Sequence, residues 1–155
     1  MRETLFNWLS PHLPGAICLD LFAGSGVLGL EALSRGAGKA VFVENDPAVA
    51  RQLRITAEQF NHSGIAIVEQ SAIAWLRDTP PKRYDLVFLD PPFKQQLWQA
   101  TLAGLQEGWL AAHALIYIET DQKLSEFNLP VGLEWTKQAR IGNVSLGLAC
   151  VQAEH

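Results

Sequence analysis

Apolar runs of five or six residues alternate with stretches whose apolar positions recur at helical spacing. Ala16-Ile17-Cys18-Leu19-Asp20-Leu21 is apolar apart from one acid near its end, which predicts a strand covered on both faces. Runs of the same kind occupy 40–44, 65–68, 84–89 and 114–118. The opening residues 3–9 predict a short helix with Leu5, Phe6, Trp8 and Leu9 on its apolar side, stopped by Pro11 and Pro14. Helices are expected over 27–35, after Asp46-Pro47 through Val49, Leu53, Ala57 and Phe60, over 71–76, and over 95–106 with Trp98, Leu102 and Leu105 on one stripe. Strands at 134–140 and 144–151 flank Ile141-Gly142-Asn143, a tight antiparallel connection. Alternating strands and helices predict parallel βαβ units. The expectation is a doubly wound α/β sheet of seven strands, ending in an antiparallel hairpin, within one domain spanning 1–155.

Candidate chemistry gathers at the ends of these strands. Asp20-Leu21-Phe22-Ala23-Gly24-Ser25-Gly26-Val27-Leu28-Gly29 carries a Gly-x-Gly-x-x-Gly spacing between a strand and a helix. Alone, this spacing says only that backbone approaches a ligand closely. Asp20 changes the reading, because a carboxylate in that crevice would repel a pyrophosphate and attract an ammonium or a sulfonium. The sequence therefore points to S-adenosylmethionine rather than to a nicotinamide dinucleotide. Glu44, closing the second strand, is placed to accept hydrogen bonds from two ribose hydroxyls. Ser71 and Ala72 follow the third strand and are candidates for the adenine wall. Phe22, Gly24, Gly26 and Asn45 complete the expected cofactor set, together with Asp90. Singly, Asp20, Glu44 and Asp46 also read as capping or solvent-facing acids.

Asp90-Pro91-Pro92-Phe93 follows the fourth strand, which neighbours the first in a doubly wound sheet. An exocyclic amine on a nucleobase is a poor nucleophile because its lone pair is delocalised into the ring. The Asp90 carboxylate and the Pro91 carbonyl, both aimed at its hydrogens, would turn that lone pair toward a methyl donor. The two prolines, Pro91 and Pro92, stiffen the turn, and Phe93 offers a face on which a flipped base can stack. These four residues form the expected catalytic set. Taken alone, the same tetrapeptide is also a rigid turn closing a strand.

Charge and composition narrow the classes. With 48% hydrophobic and 18% charged residues the chain has a globular composition, and its net charge of −4 argues against a large nonspecific nucleic-acid footprint while leaving room for a local basic patch around an RNA site. No apolar run reads as membrane-spanning and the start, Met1-Arg2-Glu3-Thr4, does not read as a signal peptide, so a cytoplasmic location is expected. Cys18 and Cys150 are expected as buried free thiols. His12, His62, His113 and His155 show no metal-ligand spacing, and no metal is expected. Trp75, Trp98 and Trp109 read as packing residues.

Arg2-Glu3-Thr4-Leu5-Phe6-Asn7-Trp8-Leu9, Asp20 through Gly26, Asp90 through Phe93, and Gly108-Trp109-Leu110 with the strand leading to Glu119 together resemble the RsmD-type 16S ribosomal RNA guanine-N2 methyltransferases. The resemblance implies a class I, Rossmann-like methyltransferase fold and methyl transfer from S-adenosyl-L-methionine to N2 of one guanine. It implies as partner the 16S rRNA, within the small ribosomal subunit or its assembly precursor. It also implies that Asp20, Gly24 and Gly26 contact the methionine part of the cofactor, that Glu44 holds ribose, and that Asp90 through Phe93 receive guanine. Such enzymes usually carry a further basic segment ahead of the position of Arg2, and without it a net charge of −4 gives RNA little electrostatic grip. Other readings of the same motifs are amine methylation of DNA adenine, a protein or a small molecule, and a noncatalytic cofactor-binding assembly protein.

Overall fold

A computed structural model describes residues 2–78, 80, 82–90 and 95–152. Helix α1 (Arg2–Leu9) leads into strand β1 (Ile17–Leu21), helix α2 (Val27–Ser34), strand β2 (Lys39–Glu44), helix α3 (Pro47–Phe60) and strand β3 (Ile65–Glu69). The short helix α4 (Ala72–Trp75), strand β4 (Tyr84–Leu89), helix α5 (Gln95–Leu105) and strand β5 (Leu110–Thr120) follow, and β6 (Leu133–Ile141) and β7 (Val144–Val151) close the chain. The seven strands form one sheet in the order β3-β2-β1-β4-β5-β7-β6. The first five are mutually parallel, and β7 lies antiparallel between β5 and β6. This is the expected doubly wound sheet with its antiparallel hairpin.

Strand alternation sorts the core into two layers. Cys18, Phe42, Leu86, Phe88 and Tyr117 face one side, where Leu5, Phe6 and Leu9 of α1, Ala32 and Leu33 of α2, and Leu53 of α3 cover them. Leu19, Val41, Val87, Leu89 and Ile116 face the other side, under Trp98, Leu102 and Leu105 of α5 and Leu76 just past α4. Trp75 and Trp109 pack at the foot of this second layer with ring centroids 4.5 Å apart, and the Trp109 indole N–H donates to the Leu76 carbonyl at 3.2 Å.

Strand β5 begins four residues before the expected 114–118. Its first turn of backbone, with Ala111, Ala112 and His113, has no apolar run to mark it, yet Leu110 pairs with Tyr84 across an irregularity in the β4 register. Cys18 is a buried free thiol as expected, whereas Cys150, opposite Glu134 of β6, is a free thiol that is only half-buried. A 3-10 turn at Leu124–Glu126 between β5 and β6 was not foreseeable from periodicity.

Candidate active site

The carboxyl ends of the parallel strands open into a cavity of about 1190 Å³. Its acidic lining comes from Glu44, Asp46, Asp90, Glu119 and Asp121, and no lysine, arginine or histidine is among the described lining residues. Phe22 and Gly24 form the wall after β1, Asn45 the wall after β2, and Ser71 and Ala72 the wall after β3.

The glycine loop is laced to β2 by backbone bonds. Ala23 N–H donates to the Val43 carbonyl at 3.0 Å, and Gly24 N–H donates to Glu44 Oε1 at 2.9 Å. The second Glu44 oxygen accepts from Asp46 N–H, also at 2.9 Å. A carboxylate offers about four lone-pair directions, so Glu44 ties down the loop and keeps acceptor capacity toward the cavity. Phe22 holds φ at 58°, an uncommon backbone state for a residue with a side chain and one that concentrates at working sites. Asp46 caps α3 by accepting from Ala48 N–H at 2.9 Å and Val49 N–H at 3.3 Å.

Two of the glycines are required by packing as α2 begins. A Cβ on Gly26, whose φ is +78°, would lie 2.5 Å from Leu53 Cδ1, and a Cβ on Gly29 would run into the Phe42 ring. The motif spacing here lets α2 and α3 close down on β2.

Asp20 stands elsewhere than expected. Its carboxylate points to the α2 side of the sheet, only 4% exposed, and accepts from Gly29 N–H at 3.1 Å. It is not among the described lining residues, so the expectation of a carboxylate opening directly into the crevice is corrected: Asp20 sits beneath the loop and secures the start of α2. Burial pushes its carboxyl up to about 8; the Gly29 N–H opposes that rise, and the nearby Asp90 and Glu44 charges add to it. Asp20 and Asp90 therefore share one electrostatic neighbourhood although only Asp90 faces the cavity.

Leu21 and Leu89 are in register across β1 and β4, which sets Asp90 beside the glycine loop. Asp90 lies open to the cavity, yet desolvation by the surrounding walls, then the charge of Glu119, lifts its carboxyl to about 6. Glu119 is the penultimate residue of β5, and the Tyr117 hydroxyl donates to its Oε1 at 2.8 Å. Burial, followed by the Glu119 charge, pushes the Tyr117 hydroxyl well above the usual range and keeps it protonated.

Ser71 caps α4, its hydroxyl accepting from Ala74 N–H at 3.4 Å. Pro91, Pro92 and Phe93, expected in the catalytic turn, lie outside the described residues, as does Lys94. Glu119, Asp121, Gln70 and Trp98 line the cavity without having been expected there, Trp98 having been read as packing alone. For Glu119 a signal existed: an acid closing an apolar strand, as at Asp20 and Glu44.

A five-strand parallel sheet extended by an inserted antiparallel strand, with an anionic crevice at its carboxyl edge, defines a class I, Rossmann-like methyltransferase. The lining fits a donor carrying both a sulfonium and an ammonium. The family model described as "Conserved hypothetical protein 95" matches residues 1–149. The chain is 40% identical over 151 residues to the "Ribosomal RNA small subunit methyltransferase D" of Escherichia coli (strain K12), covering 96% of this chain and 75% of the relative. It is 44% identical over 126 residues to the protein of the same name from Haemophilus influenzae, covering 79% of this chain and 65% of that one. The solved structure named "Putative methyltransferase yhhF" from Escherichia coli superposes with a TM-score of 0.93 at 39% identity, covering 99% of this chain and 86% of that one. The chain belongs to the RsmD family of methyltransferases.

Proposed function

We propose that this enzyme methylates the exocyclic N2 amine of a guanine in 16S ribosomal RNA, presented in the small ribosomal subunit or its assembly precursor. The observation that carries the reading is Asp90, one strand from the glycine loop in a cavity whose described charged lining is wholly acidic. The names of the relatives, which specify small-subunit ribosomal RNA, support the substrate. We read residues 1–155 as one catalytic domain acting in the cytoplasm; none of the described helices is long and apolar enough to cross a membrane.

In this reading S-adenosyl-L-methionine supplies an activated methyl group with its leaving group already in place. Glu44 accepts from the ribose hydroxyls, Gly24 and Gly26 let backbone close around the methionine portion, and Phe22, Asn45, Ser71 and Ala72 wall the remainder. Asp20 acts from beneath, holding the start of α2 and hence the loop. The Asp90 carboxylate and the Pro91 carbonyl accept the two amine hydrogens of the guanine, so the nitrogen lone pair faces the methyl group. As the nitrogen takes on positive charge its proton becomes acidic, and Asp90, ionised at neutral pH, receives it. Pro92 stiffens the turn and Phe93 stacks on the base.

Tritium transfer onto small-subunit particles lacking the modification, with the labelled base identified by mass spectrometry, tests the proposal. Label in N2-methylguanine, lost in Asp90→Ala, is expected. Label on another base or on protein, or none from folded enzyme, would overturn it.

A further inference from the structure

Resting on that substrate reading, we infer that Glu119 selects the base by accepting the N1–H of guanine while Asp90 accepts from its N2 amine. Of the common bases that carry an exocyclic amine, guanine alone has a ring N–H beside it. Adenine and cytosine place a ring lone pair there instead. A second carboxylate beside the first therefore matches guanine and repels the other two, whose lone pairs would meet an anion.

Several independent features put Glu119 in this position. Leu89 and Ile118 are in register across the parallel β4–β5 pair, so Asp90 and Glu119 are the next residues on adjacent strands and both face the cavity. Neighbouring strands lie about 4.8 Å apart, a separation from which two acceptors converge on adjacent N–H groups of one ring. Tyr117, 1% exposed and packed edge-on to Phe88 with ring centroids 6.4 Å apart, spends its hydroxyl proton on Glu119 Oε1. That bond fixes the carboxylate before any base arrives, and Oε2, which no described residue engages, remains as an acceptor. The Asp90–Glu119 repulsion is an energetic cost to the empty protein, one that two neighbouring N–H donors on a single ligand would relieve.

The Tyr117 bond makes the inference testable through the direction of an amide. In Glu119→Gln the Tyr117 hydroxyl still needs an acceptor, so the amide oxygen turns to it and the NH₂ faces the base. This donor opposes the N1–H of guanine but matches the N1 lone pair of 2,6-diaminopurine, which keeps the reacting 2-amino group.

The experiment uses the full chain and subunit RNA carrying either guanine or 2,6-diaminopurine at the position that the wild-type enzyme labels. For E119Q, kcat/KM on guanine should fall about tenfold to a hundredfold, and the preference for guanine over diaminopurine should shrink at least tenfold. Affinity for S-adenosylmethionine should fall only a few-fold, since four of the five described acidic lining residues remain, and the unfolding midpoint should not drop; these two readouts report folding separately. In Tyr117→Phe/Glu119→Gln the amide is free to turn its oxygen to the base, and part of the guanine activity should return. An unchanged base preference in E119Q, with wild type still labelling guanine N2, overturns this inference alone. Absence of guanine labelling by the wild-type enzyme overturns the substrate reading, and the inference with it.

Discussion

Asp20→Asn separates the support role of this acid from a direct role in holding the donor. The asparagine oxygen can still accept the Gly29 N–H, so the hydrogen bond survives while the titration disappears. In the unfolded chain the Asp20 carboxyl titrates at its ordinary value near 3.8, whereas burial holds it at about 8 in the native protein. Between about pH 5 and pH 7 the native state thus retains about one proton more than the unfolded state, and linkage gives a loss of up to about 1.4 kcal/mol of stability per pH unit as pH rises. Below the unfolded value both states are protonated and the contribution is flat; above the native value both are ionised and the loss is complete. Urea unfolding at several pH values should therefore show wild type losing stability faster than D20N across this window, by about 1 kcal/mol per unit. Asp90, whose native carboxyl is also raised, contributes to the total slope but is common to both proteins. A positively charged ligand nearby favours the ionised carboxylate, so donor binding near pH 7 should release protons from wild type and fewer from D20N. Calorimetry in buffers of different ionisation enthalpy reads that difference. Parallel stability profiles for the two proteins would refute the buried, protonated Asp20; a collapse of donor affinity in D20N with unchanged stability would restore direct contact.

Three further outcomes follow from the same geometry. Glu44→Ala removes the acceptor for both Gly24 and Asp46 N–H, and should cost about 1–2 kcal/mol in urea unfolding and weaken donor binding at least tenfold; Glu44→Gln, keeping one acceptor oxygen, should fall between. Gly26→Ala forces a Cβ to 2.5 Å from Leu53 Cδ1 at a φ of +78°, and should lower stability by about 2–3 kcal/mol, measured as a shifted urea midpoint with unchanged slope. Methyl-transfer kcat/KM should rise with pH through about 6 as Asp90 ionises, with Glu119, Asp121 and Tyr117 as the other titratable groups around it, and D90N should be flat through that limb and lower by about a hundredfold or more. A wild-type profile without that limb would remove Asp90 from the proton-accepting role.

Most of the architecture was legible because buried parallel strands write themselves as apolar runs and the helices between them keep a 3.6-residue period. The start of β5 was hidden because Ala111, Ala112 and His113 carry neither signal; only pairing of Leu110 with Tyr84 extends the strand. The glycine loop, Glu44 and Asp90 were legible from their places after strands. Which strand-end acid reaches the cavity was not: Asp20 is one residue short of the end of β1, level with Phe88 and so below Asp90, and the Gly29 N–H at the start of α2 engages its carboxyl there. Glu119 escaped for the opposite reason, since a single acid after an apolar strand gains meaning only when the sheet order brings its strand beside β4. Trp98 was read correctly as a packing residue, but one edge of a packed side chain can also be a wall.

The acid-only wall treats the donor unequally before and after it reacts. Loss of the methyl group turns a sulfonium into a neutral thioether, so spent cofactor leaves with one unit of positive charge fewer than the cofactor that entered. Among the described lining residues no cation reverses that difference. The surface that draws the reagent in thus slackens its hold on the by-product, which favours exchange of spent cofactor for fresh donor.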